Sequence, residues 1–184
     1  MMADYMPNAT AASLLGFLHE RPLTGWELLA TAQARIGDFW SLTQSQVYRE
    51  LAAMAAAGLI AAGERGPRDR RPYSLTAAGR AAFATWAARE PGPATIRIPL
   101  LLAVCFGRAL PPDQLAAILA QHRASHATRL AIYEAQRAAC ADLPVVDRYG
   151  LATLDFGIAY ERATLAWFDT LPATLGSALA RAEG

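Results

Sequence analysis

Two adjoining stretches carry the residue types that recognise phosphates and base edges. Residues 41–60, SLTQSQVYRELAAMAAAGLI, open on Thr43, Gln44, Ser45 and Gln46 and continue through Tyr48 and Arg49. Residues 60–76, IAAGERGPRDRRPYSLT, place Arg65, Arg68, Arg70 and Arg71 between two short apolar runs. Each glutamine amide offers a donor and an acceptor, which is what reading a base edge in the major groove requires. The Ser45 and Tyr48 hydroxyls suit a phosphate or a base edge. A guanidinium is a planar fork that bonds phosphate or guanine through two parallel N–H donors, so Arg49 can do either. The loop arginines reach the backbone or the neighbouring minor groove and fix register more than sequence. These ten residues are the expected contacts to double-stranded DNA.

Charge is distributed to match. All 17 positive side chains are arginine and the net charge is only +1, so the whole chain has no general attraction for nucleic acid. Residues 41–89 nevertheless hold seven arginines against three acids, whereas residues 90–184 hold eight against nine. Positive charge is concentrated on the stretch proposed to read DNA.

The elements that must position these groups are legible from periodicity. Residues 9–19 form a small-residue helix with Leu14, Leu15 and Leu18 on one side, ended by Arg21-Pro22. Thr24 caps a second helix, GWELLATAQARI, whose Trp26, Leu29 and Ala30 are expected to face the first. The third helix starts on a capping box, Thr43 to Gln46, and turns Val47, Leu51, Met54 and Ala55 inward. Gly58 ends it in the left-handed conformation. Residues 59–62 and 72–75 are short strands around a turn-rich loop, with Tyr73 packing at the base of the second. Thr76 caps a fourth helix.

EPGPAT, residues 90–95, is the clearest boundary. Beyond it, residues 98–108 form a short apolar helix, residues 113 to about 143 a long one closed by Pro144, and residues 149–171 a second long one. Pro172 is expected to begin a short terminal helix. Two long helices on a short connection make an antiparallel hairpin. Leu115, Ile118, Leu119, His122, Leu130, Tyr133, Leu151, Leu154, Ile158, Leu165 and Phe168 give it more apolar surface than it can cover, so a homodimer through this half is expected. The fold class is mainly α. A winged helix-turn-helix DNA-binding domain spans 1–90, and a helical hairpin dimerisation and effector domain spans 96–184.

The same residues resemble the PadR family of bacterial transcriptional regulators. SLLGFLHERPLTGWELL is similar to that family's first two helices, with Trp26 where tyrosine is commoner. FWSLTQSQVYRELAAMAAAGLI is similar to its recognition helix, and RRPYSLTAAGRAAF to its second wing strand and the helix that follows. PLLLAVCFGRALPPDQLAAIL and FGIAYERATLAWFDTL are similar to the long-form effector domain. Arg49 departs from the pattern, since many members have proline there. The resemblance implies a dimer that binds a palindrome-like operator, usually as a repressor, and release by a small aromatic or hydrophobic ligand.

Other chemistry finds less support. Trp86, Phe106, Tyr160, Trp167 and Phe168 can line an aromatic pocket at the dimer junction, and the same spacing suits plain core. The ligand site, if formed, is expected at Trp86, Phe106, Tyr160 and Trp167. His122 and His126 are one turn apart without a third ligand, so no metal is expected, and no cofactor. Glu161 and Arg162 read as a surface or interface ion pair. No nucleophile elbow or phosphate-binding glycine loop is present, which argues against an enzyme. Cys105 and Cys140 read as buried, reduced thiols of a cytoplasmic protein, and no stretch is long and apolar enough to span a membrane. The competing reading is a helical ligand- or partner-binding dimer without a DNA role.

Overall fold

A computed structural model describes residues 5–66, 70–94, 96–140 and 147–176. The chain divides into two compact units, Met1–Pro93 and Ala94–Gly184. Pro144 and the expected end of the first long helix near Leu143 lie outside the described residues.

The first unit runs α1 (Ala9–Leu18), β1 (Leu23–Thr24), α2 (Gly25–Arg35), α3 (Gln44–Ala56), β2 (Ile60–Ala62), β3 (Pro72–Leu75) and α4 (Ala77–Ala87). Its core is the leucine-rich side of α1 closed by one stripe from each neighbour. Leu14, Leu15, Leu28, Val47, Leu51 and Met54 are fully enclosed, each burial stabilising by about 1.5–3 kcal/mol before ordering costs. Side-chain caps set the helix starts. Thr24 and Glu27 form a reciprocal capping box on α2, Thr43 and Gln46 another on α3, and Asn8 and Thr76 cap α1 and α4. The two hydrogen bonds from Thr24 hold the Glu27 carboxyl below its ordinary value. Gly58 stops α3 at a φ of 72°, where a side chain would be strained.

Two expectations change here. The sheet has three strands, ordered β1-β3-β2, because Leu23 and Thr24 pair antiparallel with Tyr73 and Pro72. A two-residue strand that overlaps a helix cap leaves no periodic signal. Trp26 faces solvent, 65% exposed, rather than α1. The inward stripe of α2 is Gly25, Leu28 and Ala32, spaced three and four apart, and Trp26 falls off it.

The second unit contains α5 (Pro99–Cys105), a 3-10 turn (Gly107–Ala109), α6 (Pro112–Ala139) and α7 (Arg148–Leu175). The long helices lie antiparallel along a seam of ion pairs. Arg123 meets Asp169 at 2.9 Å, Arg137 meets Asp155 at 2.7 Å, and Arg162 meets Glu134 at 2.6 Å. Leu100, Leu115, Leu119, Phe168 and Leu171 make the apolar end of this unit.

Several readings of this half are corrected. Glu161 and Arg162 are not partners. Successive helical residues diverge, so Glu161 turns inward to His126 and Arg129 while Arg162 turns to Glu134. His122 is exposed. Pro172 continues α7 instead of starting a new helix. Its ring removes one N–H from the last turn, and the inward packing of Leu171 and Leu175 on either side carries the helix past it. Cys105 is exposed, because α5 packs through Leu100 on another side, and Cys140, at the end of α6, is half-buried.

Candidate nucleic-acid interface

The interface begins with the capping box of α3. Thr43 Oγ1 accepts the Gln46 amide N–H at 3.3 Å, and Gln46 Oε1 accepts the Thr43 amide N–H at 2.9 Å. Both residues are therefore already at work fixing the helix start. Ser45 Oγ lies 3.1 Å from Thr43 Oγ1. Gln44, Ser45, Tyr48 and Arg49 are exposed on the first two turns, as their spacing against Val47 and Leu51 requires. Arg49 Nη2 reaches back to Glu50 Oε1 at 3.4 Å.

Behind this surface α2 and α3 approach closely. A Cβ placed on Gly25 would meet the Tyr48 ring at 2.8 Å. The tyrosine thus lies over the glycine that opens α2, with its outer side in solvent. Sequence reading missed this contact, because it joins residues 23 apart on different helices.

The wing rises directly from the end of α3. The Thr76 hydroxyl donates to the carbonyls of Gly58 and Leu59 at 2.8 and 2.9 Å, which ties the foot of the hairpin to the helix stop. β2 and β3 pair with Ile60 opposite Leu75 and Ala62 opposite Tyr73. The loop is drawn together by the Gly63 amide on the Pro72 carbonyl and the Gly66 amide on the Arg70 carbonyl, both 2.8 Å. Arg71 Nε donates to the Gly63 carbonyl at 3.1 Å. Arg65, Arg70 and Arg71 are exposed, and Arg68 lies outside the described residues. Tyr73 packs on the core, as expected.

Glu50 escaped sequence reading as well. It is 5% exposed on the inward stripe of α3, where it accepts from the Tyr5 hydroxyl and the Asn8 amide. Its position, three after Val47 and one before Leu51, is the signal that marked it as buried.

The aromatic residues proposed for a ligand are divided between the units. Trp86 stacks on Phe83 in the first, with centroids 6.2 Å apart. In the second, Trp167 packs against Phe168 at 4.9 Å while Phe106 and Tyr160 are exposed. Among the described residues no three His, Cys, Asp or Glu side chains group as metal ligands.

Comparison with known proteins matches both units. Residues 14–85 match the model of the transcriptional regulator PadR-like family, and residues 96–175 match the virulence activator alpha C-terminal model. The negative transcriptional regulator PadR of Bacillus subtilis is 29% identical over 98 residues, 51% of this chain and 54% of that protein. A probable transcriptional regulator of Mycobacterium tuberculosis is 32% identical over 91 residues, 48% of this chain and 46% of the relative. The matches thus span about half the length of these curated relatives.

Solved structures extend the likeness along the chain. Bacillus subtilis PadR in complex with operator DNA superposes with a TM-score of 0.78 at 20% identity, over 91% of this chain and 99% of that one. The virulence activator AphA of Vibrio cholerae gives 0.72 at 26% identity, over 92% and 99%. PadR in complex with p-coumaric acid gives 0.70 at 20% identity, over 91% and 97%. These establish a winged-helix fold in a mainly helical chain, and the relatives are regulators rather than enzymes. With its first unit matched by the PadR-like family model and its long-helix unit by the virulence activator alpha C-terminal model, this chain is similar to PadR-type transcriptional regulators in both halves.

Proposed function

We propose that the protein is a sequence-specific DNA-binding repressor that works as a homodimer. Residues 1–90 form the reading domain and residues 96–184 the dimerisation and effector domain. The observation that carries this is the exposed polar start of α3, fixed by its capping box and followed at once by an arginine-bearing hairpin. Gln44, Ser45, Tyr48 and Arg49 read base edges, with Thr43 and Gln46 holding the helix end. Arg65, Arg68, Arg70 and Arg71 bind the backbone or minor groove.

The dimer is supported by apolar surface left open on the second unit. Leu102, Phe106 and Phe156 are 64%, 63% and 67% exposed. A second copy packed on these helices would take such side chains out of water. Two copies would present two reading units to a palindrome-like operator. PadR of Bacillus subtilis has been solved with operator DNA and with p-coumaric acid. By analogy, a small aromatic or hydrophobic ligand releases this protein from DNA, with Trp86, Phe106, Tyr160 and Trp167 as the residues to test. Among the described residues no helix is long and apolar enough to cross a membrane, and the proposed site of action is the cytoplasm.

Selection of duplexes from a random pool tests the reading. A recovered site should be a palindrome whose half-site spacing reports dimer geometry. Replacing Arg68, Arg70 and Arg71 by alanine should then weaken binding to every duplex and flatten its salt dependence, by about 0.9 in log–log slope for each phosphate no longer bound. An unchanged slope removes the wing from the interface. Failure to select any duplex leaves the helical binding module as the better account.

A further inference from the structure

Glu50 is an acidic side chain on the reading helix that points away from the reading surface. It belongs to the buried stripe Val47, Glu50, Leu51 and Met54. A carboxylate without partners would be costly there, and three donors meet it. Oε2 accepts from the Tyr5 hydroxyl at 3.0 Å, while Oε1 accepts from Asn8 Nδ2 at 3.2 Å and from Arg49 Nη2 at 3.4 Å. Asn8 is itself the cap of α1, its Oδ1 accepting the Ala11 amide at 2.8 Å. One carboxylate therefore joins the segment before α1, the start of α1 and a guanidinium of α3.

Neighbouring residues on a helix point about 100° apart and do not ordinarily face each other. Arg49 meets Glu50 only by folding its long side chain back round the helix. That side chain is 69% exposed, so the pair is screened and weak as a source of stability. A weak tether still selects among the rotamers of an otherwise unconstrained arginine.

We propose that Glu50 is a positioning residue that sets where Arg49 meets DNA, anchored for that purpose by Tyr5 and Asn8. The proposal rests on the DNA reading above and deepens it. Glu50 is too enclosed to touch a duplex; it acts through Arg49. Held back, the guanidinium reaches one place along the groove. Released, it swings over the exposed side of α3 and bonds whichever phosphate is nearest, so sequence discrimination is exchanged for indiscriminate affinity.

The test uses the full chain and two duplexes, one that the wild type selects from a random pool and a scrambled version of it. Binding of wild type, Glu50→Gln, Arg49→Ala, Tyr5→Phe and both double variants with Arg49→Ala is measured over a range of salt. Glu50→Gln should lower the ratio of selected to scrambled affinity roughly tenfold. Its salt dependence on scrambled DNA should steepen by the equivalent of up to about one bound phosphate. Tyr5→Phe should move both readouts the same way and less far. Once Arg49 is alanine, neither second substitution should change the ratio further. Effects that instead multiply independently of Arg49 overturn the proposal, since a role in packing alone would behave so. If circular dichroism shows Glu50→Gln unfolded, the Tyr5→Phe pair decides by the same criterion. A wild type that selects no duplex defeats the DNA reading and this proposal together; a selecting wild type with independent effects defeats the positioning alone.

Discussion

Tyr48 covers the one spot on α2 where there is no side chain, and that packing determines how closely the two helices of the reader approach. Adding a methyl group at Gly25 would drive its carbon into the ring at 2.8 Å. Gly25→Ala should destabilise the first unit by about 1–3 kcal/mol, the usual cost of overpacking. Urea unfolding measures it, and a Tyr48→Ala partner should restore most of the loss. If Gly25→Ala is as stable as wild type, the ring is not seated there. Tyr5 gives a second test of single-residue chemistry. Burial, and after it the hydrogen bond to the Glu50 carboxylate, pushes its phenol from 10.0 up to about 12. The neutral phenol is thus favoured in the folded state. Its contribution is whole below about pH 10 and is lost as the pH rises through about 12. The stability gap between wild type and Tyr5→Phe should therefore shrink across that window. A gap constant with pH would place Tyr5 away from the carboxylate.

At the scale of elements, the α6–α7 hairpin encloses a charge midway along its length. Glu161 is 2% exposed, with His126 Nδ1 at 2.5 Å from Oε2 and Arg129 Nη1 at 3.2 Å from Oε1. Such a cluster fixes the register of two long helices better than interchangeable leucines do, because a slip of one turn would leave a bare carboxylate in the seam. His126→Ala should cost about 1–3 kcal/mol by leaving Glu161 under-satisfied. Adding Glu161→Leu to that variant should recover stability, since Arg129 is partly exposed and can hydrate. A double variant less stable than His126→Ala alone would show that the carboxylate is worth more than its burial costs. The wing obeys a different rule. Its strands are short; Thr76 ties its foot to the end of α3, and the Gly63 and Gly66 amides close the loop on Pro72 and Arg70.

At the scale of the whole molecule, the second unit offers large apolar side chains for a second copy to cover. Leu102 on α5 and Phe156 on α7 are large, apolar and mostly in water. Phe156→Asp should convert the proposed dimer to a monomer in sedimentation and weaken binding to a selected palindrome by at least about tenfold, because the second half-site is no longer engaged by a tethered reader. The same variant should bind a half-site as well as wild type does. A dimer that survives the substitution would move the interface elsewhere.

Much of the architecture was legible along the chain because it rests on local rules. The capping residues Thr24, Thr43 and Thr76, the stop at Gly58 and the boundary at 90–95 each act over a few residues. Inward stripes such as Val47, Leu51 and Met54 repeat at the period of the helix that carries them. The exposed polar face of α3 followed from the same period. What adjacency cannot express was decided only by the tertiary fold. Leu23–Thr24 became a strand because β3 offered an edge. Trp26 went to solvent because Gly25 and Leu28 were the positions α2 could bury. Glu161 chose His126 and Arg129 over its neighbour Arg162, and Glu50 gathered Tyr5 and Asn8 from more than forty residues away. Each of these depends on which groups the packed chain brings within reach of a buried donor or acceptor, and a linear pattern does not carry that distance.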